Sequence, residues 1–265
     1  MSDRPPREPP LASERLGSGY RIALLHGFTQ TGRSWQPVVD ALRSRFEVVT
    51  VDLPGHGGST SVGATSLEEA GRKVAETVGR ATYVGYSMGG RVVLHAAFVA
   101  PESVRSMVLI GVSPGIEDER ERVDRRRADD SLADRLQGDG NPLALSGFLD
   151  EWLAQPMFAN LPPSAQGREA REENTAAGLA DALRRLGTGT QVYDRERLRR
   201  LSMPILFVAG ERDAKFRTLS AQMAGDIGEN ASTAVIASTG HAAPFESPNA
   251  FVELLCSWVR EHDED

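Results

Sequence analysis

Val84-Gly85-Tyr86-Ser87-Met88-Gly89-Gly90 decides how this chain is read. The apolar, β-branched run Ala81-Thr82-Tyr83-Val84 leads into it, and a helix-like segment follows without a break. G-x-S-x-G between a strand and a helix predicts a nucleophile elbow, a strained turn that lifts a serine hydroxyl above a sheet. Gly85 and Gly89 suit that turn, because side chains there would collide with neighbouring elements.

Working outward, short apolar runs alternate with helical patterns. Strands are predicted at 21–26, 47–52, 81–86, 104–110, 205–209 and 231–237, and helices at 35–44, 67–78, 88–99, 216–225 and 249–261. This alternation implies an α/β fold, a mostly parallel sheet with helices on both faces. Pro101 closes the helix after the elbow. Between Ser113 and Gly187 the alternation stops. Leu145, Phe148, Leu149, Trp152 and Leu153 form a helical stripe there, and a second helical segment covers 170–186. Residues 113–186 therefore read as a helical lid inserted into a core made of 20–112 and 187–265. The Pro-, Arg- and Glu-rich stretch 1–19 reads as a disordered tail. It is short and polar, so the sheet is expected to be truncated at that edge.

The composition is that of an ordinary globular protein, 40 % hydrophobic and 25 % charged over 265 residues. A net charge of −7 argues against a nucleic-acid partner. No apolar run approaches the roughly 18 residues that span a bilayer, so no membrane partner is expected. The N-terminal stretch lacks the apolar centre of a secretory signal. Cys256 is the single cysteine, which leaves no intrachain disulfide or thiolate metal cluster. The expectation is a cytoplasmic protein with no metal and no cofactor, its oligomeric state open.

An activated serine needs a base within reach and an acid that orients the base. Five histidines are available: His26, His56, His95, His241 and His262. His95 falls two turns along the elbow helix, facing away from the serine, and His262 sits in the charged C-terminal end. His241, in Ser238-Thr239-Gly240-His241, follows a predicted strand and is the candidate base. The strand at 205–209 ends in Gly210-Glu211-Arg212-Asp213, where parallel strands present residues to a ligand crevice. Asp213 is the candidate acid and Glu211 the fallback; the plainer role for Asp213 is a helix N-cap. His26-Gly27-Phe28 ends the first core strand, so the Phe28 and Met88 N–H groups are the candidate oxyanion hole. Asp52-Leu53-Pro54-Gly55-His56-Gly57-Gly58-Ser59 reads as a structural loop. The run 117–127 holds five acids and five arginines, the pattern of an exposed, ion-paired helix.

These residues resemble the α/β-hydrolase superfamily, and within it the 2-succinyl-6-hydroxy-2,4-cyclohexadiene-1-carboxylate synthase family. The resemblance runs from about Leu24 to Leu255. Its generic parts are LHGF at 25–28, VDLPGHG at 51–57 and GYSMGGR at 85–91. Its distinctive parts are Trp152 with QPMFANL at 155–161, GERDAKFR at 210–217, and Arg171-Glu172-Glu173-Asn174. The resemblance implies a lyase of menaquinone biosynthesis whose Ser87–His241–Asp213 triad acts as a base and eliminates pyruvate. It also implies a small polycarboxylate substrate gripped by arginines. Arg91, Arg125 (with Asp129 four residues on) and Arg171 are the expected cations, with Tyr86 and Trp152 beside the substrate. Two rival readings remain. One is a carboxylesterase or carbon–carbon bond hydrolase with Ser87 as covalent nucleophile. The other is a non-catalytic ligand receptor, against which the intact Ser, His and Asp argue.

Overall fold

The computed structural model describes residues 11–138 and 143–262. Seven strands form one sheet: β1 Ser13–Leu16, β2 Arg21–Leu25, β3 Glu47–Val51, β4 Ala81–Tyr86, β5 Val104–Ile110, β6 Ile205–Gly210 and β7 Ala231–Ile236. Helices α1 Gln36–Leu42, α2 Leu67–Val78 and α3 Met88–Val99 join the strands of the first half. Between β5 and β6 come α4 Glu119–Gln137, α5 Leu143–Leu153, α6 Arg168–Glu172, α7 Ala176–Leu186 and α8 Arg195–Leu198. Helices α9 Ala214–Ile227, α10 Ala243–Glu246 and α11 Pro248–Glu261 complete the core.

The sheet order is β1-β3-β2-β4-β5-β6-β7. All pairings are parallel except β1 with β3. Strand order reverses at β2, with β3 on one side of it and β4 on the other, so a crevice opens at their carboxyl ends. Along β2, Ala23 and Leu25 join the layer of α2, α3 and α9, while Ile22 and Leu24 join that of α1 and α11. The two-residue period of the strand thus serves two cores, one on each face.

All six predicted strands form, within one residue at each end. Strand β1 corrects the tail expected across 1–19, and it supplies one edge strand where the sheet was expected to be truncated. Its residues Ser13, Glu14 and Arg15 are exposed, and it is held by main-chain pairing of Ser13 with Val51 through Leu16 with Val48. An edge strand held mainly through its backbone leaves no apolar pattern to read. Residues 1–10 of the expected tail lie outside the described residues. The helix expected over 170–186 is also two helices, α6 and α7. Thr175 interrupts them with extended backbone, and its side chain caps α7 by accepting from the Gly178 N–H.

The segment between β5 and β6 has an apolar centre of its own. Ala133 and Leu136 of α4 meet Phe148 and Leu149 of α5 and Leu179 and Leu183 of α7, with Phe28 and Trp152 packed against them. This cluster seats the insertion over the carboxyl ends of β2 and β4.

Candidate active site

Ser87 stands between β4 and α3 with φ 51 and ψ −110, a left-handed conformation that costs a non-glycine residue of order 1–3 kcal/mol. Such strain persists only where the surroundings enforce it. Gly89 shows how tightly they do: a Cβ there would lie 2.4 Å from the Leu25 carbonyl oxygen. A Cβ at Gly85 would lie 2.5 Å from the Gly90 Cα.

Asp213 follows the carboxyl end of β6, and His241 that of β7. His241 Nδ1 lies 2.8 Å from Asp213 Oδ2, and its Nε2 lies 3.4 Å from Ser87 Oγ. The carboxylate fixes the proton on Nδ1 and turns the Nε2 lone pair toward the serine. The other Asp213 oxygen accepts from the Phe216 N–H at 3.3 Å, so the residue caps a helix and holds the His241 ring at once. Glu211 accepts instead from the Ser238 N–H, which removes it as the fallback acid. Sequence reasoning missed Glu246, whose carboxylate accepts from the N–H groups of Gly240 and Ala242, on either side of His241, at 2.6 and 2.9 Å. It also missed Gly111 (φ 59), where a Cβ would lie 2.7 Å from His241 Cε1.

The Phe28 and Met88 N–H groups donate to no other described residue. Both residues line one cavity of about 470 Å3 together with Ser87 and His241. Backbone donors left free beside a nucleophile are what an oxyanion hole requires. The turn carrying Phe28 is packed on two buried histidines, His26 and His56. His26 Nε2 accepts from the Leu53 N–H at 3.0 Å, and its Nδ1 donates to the Gly27 carbonyl at 2.8 Å. Burial, foremost, lowers His26 to about 4 and His56 to about 3. Both are neutral wedges beneath Phe28, whose ring meets that of His56 edge-on. The loop from Asp52 is structural as expected, its carboxylate holding the N–H groups of Gly32 and Gly58.

Of the expected cations, the structure brings Arg91 and Arg125 to the cavity, and it adds Lys215. Arg91 lies one turn along α3 from Ser87 and is 7 % exposed. It makes no ion pair among the described residues, and its buried Nη1 lacks a hydrogen-bond partner. Burial, aided by the charge of Arg125, lowers its pKa to about 10, so it stays cationic. Arg125 pairs with Asp129 at 2.9 Å and remains half exposed. Trp152 lines the cavity and meets Phe28 edge-on at 5.1 Å.

Arg171 and Tyr86 are not among the residues that line this cavity. Arg171 is 1 % exposed. It donates to the Gln166 carbonyl at 2.7 Å, to the Thr29 hydroxyl and to the Phe28 carbonyl at 3.4 Å. Asn174, from the same segment, donates to the Thr29 carbonyl and accepts from the Gly57 N–H. The distinctive Arg-Glu-Glu-Asn segment thus fastens the helices between β5 and β6 to the turn at Phe28 and Thr29. Tyr86 packs under His241 and against Phe245, and burial raises its phenol pKa well above the usual range.

A family model described as the alpha/beta hydrolase family matches residues 22–254. The chain belongs to that family. Among its relatives, the 2-succinyl-6-hydroxy-2,4-cyclohexadiene-1-carboxylate synthase of Salmonella paratyphi B is 34 % identical over 248 residues, 90 % of this chain and 93 % of the relative. Another, of Salmonella heidelberg, is 33 % identical over the same length and the same shares of both chains. The structure of MenH from S. aureus matches this alpha/beta hydrolase with a TM-score of 0.86 at 28 % identity, over 95 % of this chain and 99 % of that one. A malate-bound thermophilic esterase from Thermogutta terrifontis matches with a TM-score of 0.79 at 25 % identity, over 95 % and 94 %. Among the described residues, no helix is long and apolar enough to cross a membrane, and no cluster of three metal-ligating side chains occurs.

Proposed function

We propose that this protein is a carbon–oxygen lyase of menaquinone biosynthesis. It eliminates pyruvate from 2-succinyl-5-enolpyruvyl-6-hydroxy-3-cyclohexene-1-carboxylate and leaves 2-succinyl-6-hydroxy-2,4-cyclohexadiene-1-carboxylate. One observation carries the reading: Arg91, buried and without a carboxylate partner, one helical turn from Ser87. A cation near a helix N-terminus opposes the helix dipole and is desolvated at a cost, so a bound anion explains its place. With Arg125 and Lys215 it gives the cavity three cations, and the substrate carries three carboxylates. Cleaving a plain ester calls for none of them.

The chemistry follows from the geometry. His241 takes the Ser87 hydroxyl proton, and Asp213 steadies the imidazolium. The serine oxygen then removes the proton from the ring carbon that bears the succinyl ketone. Negative charge moves to the ketone oxygen, where the Phe28 and Met88 N–H groups receive it. As the enolate collapses, the ring double bond shifts by one position and the bond from ring carbon to enolpyruvyl oxygen breaks. The departing enolate gains a proton and becomes pyruvate. The Ser87–His241 gap of 3.4 Å closes on substrate binding, as such contacts do in unliganded enzymes. Arg91 and Arg125 grip carboxylates, Trp152 walls the apolar ring, and no cofactor takes part. Cys256 is free and buried, in keeping with a cytoplasmic enzyme.

The test supplies the enzymatically generated enolpyruvyl precursor and follows pyruvate release with the diene absorbance. Ser87→Ala and His241→Ala are each expected to lower turnover on the order of 10³-fold or more, since triad members act as a unit. A wild-type protein that releases no pyruvate, yet gains the mass of an acyl group from an activated ester, would be a hydrolase instead.

A further inference from the structure

Two distinctive stretches of the sequence, QPMFANL at 155–161 and GERDAKFR at 210–217, meet in space although they lie far apart along the chain. Asn160 Oδ1 accepts from Arg212 Nη1 at 2.8 Å. A guanidinium carries donors only, so the amide oxygen faces Arg212 and the amide nitrogen is turned the other way. It is turned onto Gly240, where a Cβ would lie 2.8 Å from Asn160 Nδ2 and 3.5 Å from Asn160 Cβ. Arg212 immediately precedes Asp213, and Gly240 immediately precedes His241. One side chain therefore touches both the loop that carries the acid and the loop that carries the base.

Those two loops are already stitched to each other. The Arg212 N–H donates to the Thr239 carbonyl at 2.8 Å, and the Ser238 N–H to the Glu211 carboxylate at 2.8 Å. A Cβ on Gly210 would lie 2.1 Å from the Gly240 carbonyl oxygen, so the backbones run in contact. Glu246 ties the base loop to α10 through the Gly240 and Ala242 N–H groups. None of these bonds reaches the segment that walls the catalytic cavity.

Asn160 does reach it, because it belongs to that segment. Gln155 and Met157 line the cavity beside Ser87 and His241. Phe158 and Leu161 are buried in the same apolar layer as Tyr86, Ala242 and Phe245, and the Phe158 ring meets that of Trp152 at 6.0 Å. An amide carried between two buried anchors is a fixed post for whatever it bonds.

We propose that Asn160 is a positioning residue for the Asp213–His241 pair, the post that sets the acid and base loops against the wall of the catalytic cavity. It does not line that cavity and acts only through Arg212 and Gly240. The 3.4 Å from His241 Nε2 to Ser87 Oγ is the outer edge of hydrogen-bond reach, so a small shift of the base loop decides whether the proton moves. The inference rests on Ser87, His241 and Asp213 working as a set, and not on which substrate they meet.

Asn160→Leu keeps the volume and removes both polar atoms, and Arg212→Met removes the donor from an exposed side chain. Pyruvate release gives kcat and KM, while the low-field proton signal of the His241 Nδ1–H reports its bond to Asp213 without any substrate. Asn160→Leu is expected to lower kcat roughly tenfold or more with KM within about twofold, because Phe158 and Leu161 keep the wall in place while displacements near 1 Å are costly at a positioned base. The His241 signal should move or broaden while circular dichroism stays unchanged. Arg212→Met should lose a similar factor, and the double variant no more than either single one, since both cut the same contact. Asn160→Asp, which keeps an acceptor for Arg212, should retain most of kcat. The proposal is overturned if Asn160→Leu turns over like the wild type, if KM rises with kcat intact, if the losses multiply in the double variant, or if the His241 signal stays in place. A wild-type protein that releases no pyruvate would overturn the assigned reaction instead, and the His241 signal would still decide the role of Asn160.

Discussion

The guanidinium of Arg171 donates to the hydroxyl of Thr29, the residue that follows Phe28, the proposed oxyanion donor. Thr29 has φ 68, a left-handed backbone that a β-branched residue adopts only under constraint. The insertion therefore holds the oxyanion turn in its strained shape. Arg171→Met is expected to lower kcat roughly 10- to 100-fold with KM nearly unchanged, and to destabilise the fold by about 2–4 kcal/mol, because buried acceptors lose their donor. Steady-state kinetics decide it: a raised KM with kcat intact would mean that Arg171 grips substrate directly.

Arg91 is the opposite case, a buried cation that the fold does not use. Replacing such a group by an apolar side chain of similar length often stabilises a protein. Arg91→Met is expected to raise stability by about 1–3 kcal/mol in urea unfolding while KM rises at least roughly tenfold. A variant that is both less stable and fully active would show that Arg91 serves the fold.

Gly111 leaves the space in which the His241 ring rests. Gly111→Ala puts a methyl group 2.7 Å from His241 Cε1 and 3.0 Å from Nδ1, on a residue whose φ of 59 already disfavours a side chain. Turnover is expected to fall at least about 100-fold, since displacements near 1 Å are that costly in a positioned site. Near-normal kcat would mean that the ring has another productive position.

Stability should depend on pH through the buried histidines. His26 and His56 are held at about 4 and 3, against an ordinary value of 6.5. The folded protein keeps both neutral, whereas the unfolded chain takes up protons below about 6.5. Stability is therefore full above that value and declines as pH falls toward 4, by at most ~1.4 kcal/mol per pH unit for each ring. Urea midpoints at pH 7.5 and 5.5 measure the decline, which His56→Asn should make shallower. Equal midpoints at the two pH values would contradict it.

Much of this could be read along the chain because its signals are local. A strand buried on both faces must be a continuous apolar run, and Ala81–Tyr86 and Ile205–Gly210 are both buried throughout. Glycines at 85 and 89 follow from the space around a strained turn. The triad was legible because strand ends gather at one edge of a parallel sheet, so order and position pick out Ser87, Asp213 and His241. Strand β1 was hidden because backbone pairing leaves no trace in side-chain polarity.

Arginines were harder. Arg91, Arg125 and Arg171 look alike in a sequence, each no more than a positive charge. One is buried and unpaired above the cavity, one is paired at its rim, and one is spent on the oxyanion turn. Glu246 carried no signal, because nothing local marks a carboxylate that braces His241, and Lys215 sits in the distinctive segment at 210–217 without anything local to mark it as a cation at the cavity edge.

The amino-acid sequence by itself determined the sheet, its helices and the elbow, and it picked out the Ser87, His241 and Asp213 side chains that meet there, for these rest on periodicity and on turns that few residues can make. Only the tertiary structure decided which charges face the cavity and which are consumed by the fold. A charge takes its meaning from desolvation and from partners within a few ångströms, and those neighbours come from distant parts of the chain.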